Sequence, residues 1–124
     1  MRHKRKGKKL GRKKAHREAM LRNLLRSFFA YGQIKTTITK AKACRDLANR
    51  LIQRATRDGV ATRRYLFQYL NDHQLVKKLC TEIAPNLNDY HGGFVRIIRL
   101  GRRDGDGAEL ALLSLVEPKT KKEK

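Results

Sequence analysis

The first fourteen residues of the chain contain almost no side chain that could enter a hydrophobic core. They read MRHKRKGKKLGRKK, in which Leu10 is the one large apolar residue after Met1. Because their positive charges repel one another, these residues cannot form a compact structure without an anionic partner. We therefore predict an extended basic arm over residues 1–14, a globular domain over residues 15–117 and a charged tail over residues 118–124.

The whole chain is strongly basic. Its 124 residues include 31 Lys and Arg against 11 Asp and Glu, a formal net charge of +20. Such a protein repels itself unless a polyanion neutralises it, and the candidates are nucleic acid, an anionic membrane and an acidic protein. The longest apolar run, Leu110 to Val116, is far shorter than the roughly 20 residues that span a bilayer. Because the sequence shows no secretory signal, we expect a soluble cytoplasmic protein.

Apolar residues recur at helical spacing in four segments. Gly32 is suited to cap the end of the first helix, and Thr39 to cap the start of the second. Asn71 or Asp72 can cap the fourth, which Pro85 should end. The pattern therefore predicts helices over residues 15–31, 40–57, 61–70 and 73–84.

Three further segments have the alternation and branched residues of strands. Residues 34–38 form a short candidate strand, and residues 94–100 and 109–116 form a hairpin around the turn-rich GRRDGDGA string. The last strand is apolar on both faces and should be central, whereas Arg96 and Arg99 mark its partner as an edge. We predict a single compact α+β domain: helix, strand, three helices and two strands, with a small mixed sheet covered by helices.

Short strings resemble parts of metal or catalytic sites without their essential partners. The string from Asp104 to Gly107 is similar to the start of a calcium loop, but Ala108 and Leu115 occupy later ligand positions. A solvated hairpin turn is the simpler interpretation. Cys44 and Cys80 lack a second Cys or a His at zinc-site spacing, so we interpret them as buried thiols.

The sequence contains no recognisable set of catalytic residues. His91 and the two glycines after it resemble an oxyanion loop, yet the chain has no Gly-x-Ser-x-Gly elbow to supply a nucleophile. No Ser/His/Asp or Cys/His set is evident. We predict no enzymatic activity, no cofactor, no metal and no small-molecule substrate.

Nucleic acid is the partner that the charge pattern favours. The basic arm runs directly into His16, Arg17 and Arg22 on the first predicted helix, so the charge extends from the arm to a folded surface. Lys and Arg neutralise phosphates and release counterions, and Gly7 and Gly11 let the arm follow an irregular RNA backbone. The alternative is an import signal or a solubility tail. The aromatic residues are interpreted as core rather than base-stacking platforms: Phe28, Phe29, Tyr31, Phe67 and Tyr69.

Several ordered blocks together resemble one protein family. The blocks are MRH, GKKLGRKKAHREAMLRN, IKTTITKAKACRDL, EIAP, GGFVRI and LSLVE, and they span nearly the whole chain. They are similar to the seventeenth protein of the bacterial large ribosomal subunit. The resemblance implies a single α/β domain with an extended arm that binds large-subunit (23S) ribosomal RNA near the tunnel exit, beside neighbouring ribosomal proteins and without catalysis. It also implies a cytoplasmic location, in the ribosome.

The resemblance carries over to individual residues. The matching blocks imply RNA contacts at Arg2, His3, Arg12, His16, Arg17, Arg22, Asn23, Lys35, Thr36, Thr37, Lys40 and Lys42. Electrostatics alone adds Lys4, Arg5, Lys6, Lys8, Lys9, Lys13 and Lys14. The chain departs from the family at Gly11, commonly Asn, and at Lys13 and Lys14, where Asn or Ser often precede the helix. We hypothesise that phosphate contacts order this junction instead of a side-chain cap.

Three other functions stay open at this point. A DNA-binding protein would suit the charge, but no helix-turn-helix, zinc finger or basic zipper is recognisable. An RNA-modifying enzyme should carry a cofactor loop or converging acid and base residues. Peripheral membrane binding through the basic helix from Lys40 to Arg57 is disfavoured because that helix has no Trp or Phe.

Overall fold

Helix α2 lies at the centre of the fold, against a three-stranded sheet and among the other helices. The computed structural model describes residues 14–87, 90 and 92–116. The helices are α1 (Lys14–Tyr31), α2 (Ile38–Ala55), α3 (Val60–Leu70) and α4 (His73–Lys78), the last continued by a π-helical segment (Leu79–Ile83) and α5 (Ala84–Asn86). The strands are β1 (Gln33–Thr37), β2 (Val95–Arg102) and β3 (Glu109–Leu115). The predicted α+β class and element order are confirmed.

The sheet has the order β1-β3-β2, so the predictions of a central last strand and an edge position for β2 are confirmed. The prediction of a mixed sheet is wrong, because both pairings are antiparallel. Strands β1 and β2 point the same way, but β3 lies between them, and no parallel pair forms among the described residues. On the inner face Ile34, Leu113 and Ile97 lie opposite one another, and on the outer face Lys35 and Leu112 are paired.

The core is aliphatic and aromatic, and within the described ranges it contains no buried charged or polar side chain. Helix α2 presents small residues such as Ala41 and Ala48, which lets its neighbours approach closely. The prediction of two buried free thiols is confirmed, and burial raises the pKa of Cys44 to about 12. The expectation that the aromatic residues belong to the core holds for Phe28 and Phe29 but is wrong for Tyr31, which is 79% exposed. Phe67 and Tyr69 are partly buried against the core.

Two helix ends follow the predicted chemistry. Gly32 adopts φ +83° after α1, and its N–H donates to the Phe28 carbonyl at 2.7 Å. Only a residue without a Cβ adopts this left-handed conformation readily. The Asp72 carboxylate accepts from the backbone N–H groups of Gln74 and Leu75 at 2.9 and 3.2 Å, as an N-cap of α4.

Two other helix ends differ from the prediction. Helix α2 begins at Ile38 rather than after Thr39, because extended Thr37 leads from β1 straight into the helix without a side-chain cap. Pro85 does not end the fourth helical region, which continues to Asn86. Pro85 lies in the first turn of α5, which follows the π-helical segment, and proline is tolerated in a first turn.

Three long-range hydrogen bonds join elements that are distant in sequence. The Arg22 Nε donates to the Tyr69 carbonyl at 3.1 Å, which ties α1 to α3. The Lys78 Nζ donates to the Ala30 carbonyl at 2.8 Å, at the end of α1. The Asn49 Oδ1 accepts from the Phe94 N–H at 3.0 Å, which connects α2 to the start of β2. These side chains therefore stabilise the packing of the helices.

We predict that Leu79→Ala lowers the free energy of unfolding by about 2 to 5 kcal/mol, because Leu79 is fully buried and its loss leaves a cavity. The matched control is Leu100→Ala, at a side chain that is 47% exposed, which should change stability by less than about 0.5 kcal/mol. Urea denaturation followed by circular dichroism measures both. Equal effects of the two substitutions would contradict the assigned core.

We also predict that Arg22→Ala lowers the free energy of unfolding by about 1 to 2 kcal/mol. This is at or just below the lower end of the range for hydrogen bonds to charged groups, about 1.5 to 3 kcal/mol, because Arg22 is only half buried. Its exposed neighbour Asn23, changed to Ala, should alter stability by less than about 0.5 kcal/mol. The same denaturation experiment compares the two, and an Arg22→Ala variant as stable as the unmodified chain would rule out the structural role.

Candidate nucleic-acid interface

The structure describes ten of the nineteen residues for which RNA contact is predicted. The others lie outside the described residues: Arg2, His3, Lys4, Arg5, Lys6, Lys8, Lys9, Arg12 and Lys13. The predicted tail over residues 118–124 also lies outside them. The described candidates belong to α1, β1 and α2.

Helix α1 presents an exposed stripe on the side away from the core. His16, Asn23, Ser27 and Tyr31 are exposed, and their spacing of four or seven residues places them along one face of a helix with 3.6 residues per turn. Lys14 is the exposed first residue of α1. These five residues are called the α1 surface below. A shallow cavity of about 450 Å³ lies beside them.

Arg17 and Arg22 differ from the rest of the predicted set on α1. Both are half buried, and the Arg22 guanidinium is engaged with the Tyr69 carbonyl of α3. A charged donor already used inside the fold is less available to a phosphate. The matching sequence block therefore contains at least one residue whose contact in this structure is internal.

The three predicted residues of β1 do not share one face. Lys35 is exposed and lies opposite Leu112, on the outer face of the sheet. Thr36 lies opposite the buried Ala111, on the face covered by helices. Successive side chains of a strand point to opposite faces, so Thr37 shares the outer face with Lys35.

Helix α2 separates its two predicted lysines. Lys40 and Lys42 are half buried and stand roughly 200° apart around the helix, one on each side of the apolar stripe. The solvent face between them carries exposed arginines that the sequence-based set did not include. With Lys42 these form what we call the α2 surface: Lys42, Arg50, Arg54 and Arg57, the last just beyond the end of the helix.

Carboxylates neutralise few of these cations. Within the described ranges the ion pairs are Arg45–Asp46 at 3.5 Å, Arg63–Asp58 at 2.7 Å, Arg99–Glu109 at 3.2 Å and Arg103–Asp106 at 2.6 Å. None of these pairs includes a residue of the α1 or α2 surface. The guanidinium of Arg54 instead lies 4.1 Å from the centre of the Tyr65 ring, a cation–π geometry. Both surfaces therefore keep their positive charge for an external anion.

The hairpin-turn interpretation of the Asp104 to Gly107 string is confirmed. Asp106 accepts from the Nε and Nη2 of Arg103 at 3.2 and 2.6 Å and from the Ala108 N–H at 3.1 Å. The hydrogen bond from Arg103 lowers the pKa of Asp106 to about 2, so the carboxylate is ionised and occupied at neutral pH. In the part of the chain that the structure describes, no group of three His, Cys, Asp or Glu could hold a metal ion. No described helix has the length and apolarity to cross a membrane.

Exposure is the signal that the sequence-based selection lacked. Tyr31 has a helical spacing that is compatible with the apolar stripe of α1, but it lies at the last turn, beyond the edge of the core. Arg50 and Arg57 lie outside the blocks quoted for the family resemblance, and their exposure, on and just beyond the free face of α2, distinguishes them from other arginines. A run of charges along the chain indicates the arm, whereas the cations of a folded surface come from separate helical turns and are not consecutive in the sequence.

Known proteins match this chain over most of its length. The family model described as ribosomal protein L17 matches residues 20–116. The large ribosomal subunit protein bL17 of Halothermothrix orenii is 46% identical over 110 residues, which cover 89% of this chain and 96% of the relative. The bL17 protein of Rubrobacter xylanophilus is 46% identical over 116 residues, covering 94% and 96%. The resemblance seen in the sequence is confirmed: this chain belongs to the ribosomal protein L17 family, and it is a structural constituent of the large ribosomal subunit rather than an enzyme.

Proposed function

We propose that this chain binds large-subunit ribosomal RNA through its basic arm together with the α1 and α2 surfaces. As a ribosomal component the chain is located in the cytoplasm. The RNA contact itself, the tunnel-exit side of the subunit as its position and contacts with neighbouring ribosomal proteins are parts of the proposal. The proposal for the arm carries over all the basic residues predicted there, from Arg2 to Lys13.

The observation that supports this proposal is the unneutralised positive charge of the α1 and α2 surfaces. Arg50 and Arg54 on the free side of the central helix, and Arg57 just beyond its end, have no carboxylate partner among the described residues. A net charge of +20 on the chain makes such clustering costly for the isolated protein. Phosphates relieve this repulsion, and the release of their counterions adds to the affinity.

The residues exposed on the α1 surface favour folded RNA over duplex DNA. The α1 surface combines one cationic residue with polar His16 and Asn23 and an exposed aromatic ring, Tyr31. Aromatic side chains stack on unpaired bases, which folded RNA exposes in its loops and bulges and a regular duplex does not. Lys35 and Thr37 add polar groups at the edge strand next to the same helix.

We predict that replacing Arg50 and Arg57 by Gln makes the dependence of log affinity on log salt shallower, by about two units of slope, for a large-subunit ribosomal RNA fragment. Each lost phosphate contact removes about one unit of slope. The matched control replaces Arg99 and Arg103 by Gln, which removes the same charge from residues that already pair with carboxylates. Filter binding over a salt series measures both variants. Equal slopes for the two variants would contradict a specific role of the α2 surface.

A competition experiment separates the proposed partner from DNA. Duplex DNA of equal charge should displace the labelled RNA fragment from the full-length chain only at a large excess, because α1 offers a stacking ring and polar groups as well as charge. Displacement by both nucleic acids at the same concentration would instead favour a general polyanion-binding protein.

We predict that removal of residues 2–13 lowers both the affinity for the RNA and its salt slope, because these residues contain many Lys and Arg. Cooperative unfolding should persist, since every residue assigned to the core lies in the remaining chain. The thermal midpoint should stay equal or rise slightly as like-charge repulsion falls. Loss of cooperative unfolding would show that these residues belong to the core, and an unchanged salt slope would show that they do not bind RNA.

A further inference from the structure

A cleft between α3 and α4 lies outside every surface that the sequence predicts to bind RNA. It has a volume of about 510 Å³, within the range typical of small-molecule and cofactor sites. Phe67 and the almost fully buried Val76 line it, and Val60 lies at its side with 69% of its surface exposed. The fold therefore leaves an apolar hollow open to solvent.

Two stacked rings line this cleft. The rings of Phe67 and His73 have centroids 4.3 Å apart and planes inclined by 16°. His73 is exposed, being the first residue of α4. A parallel pair of this kind can be extended by a third flat ring, and nucleobases stack on Phe and His in single-stranded RNA complexes.

The rim of the cleft is cationic. Arg64 and Lys77 are exposed, line the cleft, and have no carboxylate partner among the residues that the structure describes. The third cation, Arg63, is neutralised by Asp58, to which it donates two hydrogen bonds of 2.8 and 2.7 Å. Two positive charges thus remain available beside an apolar hollow.

The cleft is close to the α1 surface through the first turn of α4. Leu75 and the capping residue Asp72 line the shallow cavity beside Asn23 and Tyr31. One turn of the same helix places His73 and Lys77 in the cleft. An RNA strand bound to the α1 surface can therefore continue across α4 and reach the cleft on its other side.

We propose that this cleft binds one unpaired nucleotide of the ribosomal RNA, with its base stacked against His73 and its phosphate on Arg64 and Lys77. The inference rests on the proposed RNA binding and names a site for it. A nucleotide supplies both the flat ring and the negative charge that the cleft complements. An aliphatic side chain of a protein partner would fill the hollow but leave the cationic rim without an anion.

The test uses the full-length chain and a large-subunit ribosomal RNA fragment that contains thiouridine, irradiated in the complex. Mass spectrometry of the cross-linked peptides should find α3 and the first turns of α4. His73→Ala should reduce the yield of this cross-link roughly tenfold, as expected for loss of one stacked base. The matched control, Gln74→Ala, removes the side chain of the exposed neighbour and should leave the yield unchanged.

A second variant tests the rim. Replacing Arg64 and Lys77 by Gln should also reduce the cross-link while leaving the rings in place, and thermal melts confirm that each variant is folded. Bound RNA without cross-links in α3 and α4, or a yield insensitive to both variants, would overturn the cleft assignment and leave the proposed function standing. Shielding of the cleft by a neighbouring protein in intact subunits would also overturn it. Failure of the unmodified chain to bind the RNA at all would overturn the proposed function as well.

Discussion

Burial of the apolar stripe of α2 is the interaction on which the rest of this structure depends. The stripe contacts the sheet on one side and α1 and α3 on others, so it joins otherwise separate elements into one core. Its residues are small near Ala48 and branched near Ile52, and all are fully buried. The loss of water contact around this one helix supplies the hydrophobic stabilisation that a basic chain of this length needs. The opposite side of the same helix is consequently the one that stays free.

The need to keep charge out of this core determines where the cations lie. No charged side chain is buried within the described ranges, and some of the carboxylates pair with a nearby arginine, as Asp58 does with Arg63 and Asp106 with Arg103. Of the Lys and Arg without a carboxylate partner among the described residues, Arg50 and Arg54 lie on the free side of α2 and Arg57 just beyond its end, while Arg64 and Lys77 line the cleft between α3 and α4. Their mutual repulsion destabilises the isolated domain. A polyanion neutralises these charges, and the relief of repulsion and the release of counterions favour its binding. The same segregation of charge that permits folding also leaves on the surface the cations that the proposed RNA binding uses.

Sequence reasoning succeeded where a local pattern decides the outcome. The apolar residues on both faces of β3 and the Gly32 and Asp72 caps act over a few residues, and they were predictable. The hydrogen bond of Arg22 to α3 and the exposure of Tyr31 depend on the positions of α3 and of the edge of the core. Helical periodicity along the sequence does not give these positions. The antiparallel sheet and the passage of the helical region through Pro85 likewise result from the packing of distant segments. In the candidate site, the charge pattern predicted the arm and a basic second helix, but the fold was needed to show which of the basic residues of that helix are exposed.

RNA binding through the α1 and α2 surfaces is tested most directly by hydroxyl-radical footprinting of the full-length chain, free and bound to large-subunit ribosomal RNA, read by mass spectrometry. We expect oxidation of Tyr31 and His16 on the α1 surface, and of the peptide carrying Arg50 and Arg54, to fall sharply in the complex. The hairpin turn around Gly105, where Arg103 pairs with Asp106, should be oxidised equally in both states. Protection confined to the hairpin, with the α1 and α2 surfaces oxidised as in the free chain, would contradict the account.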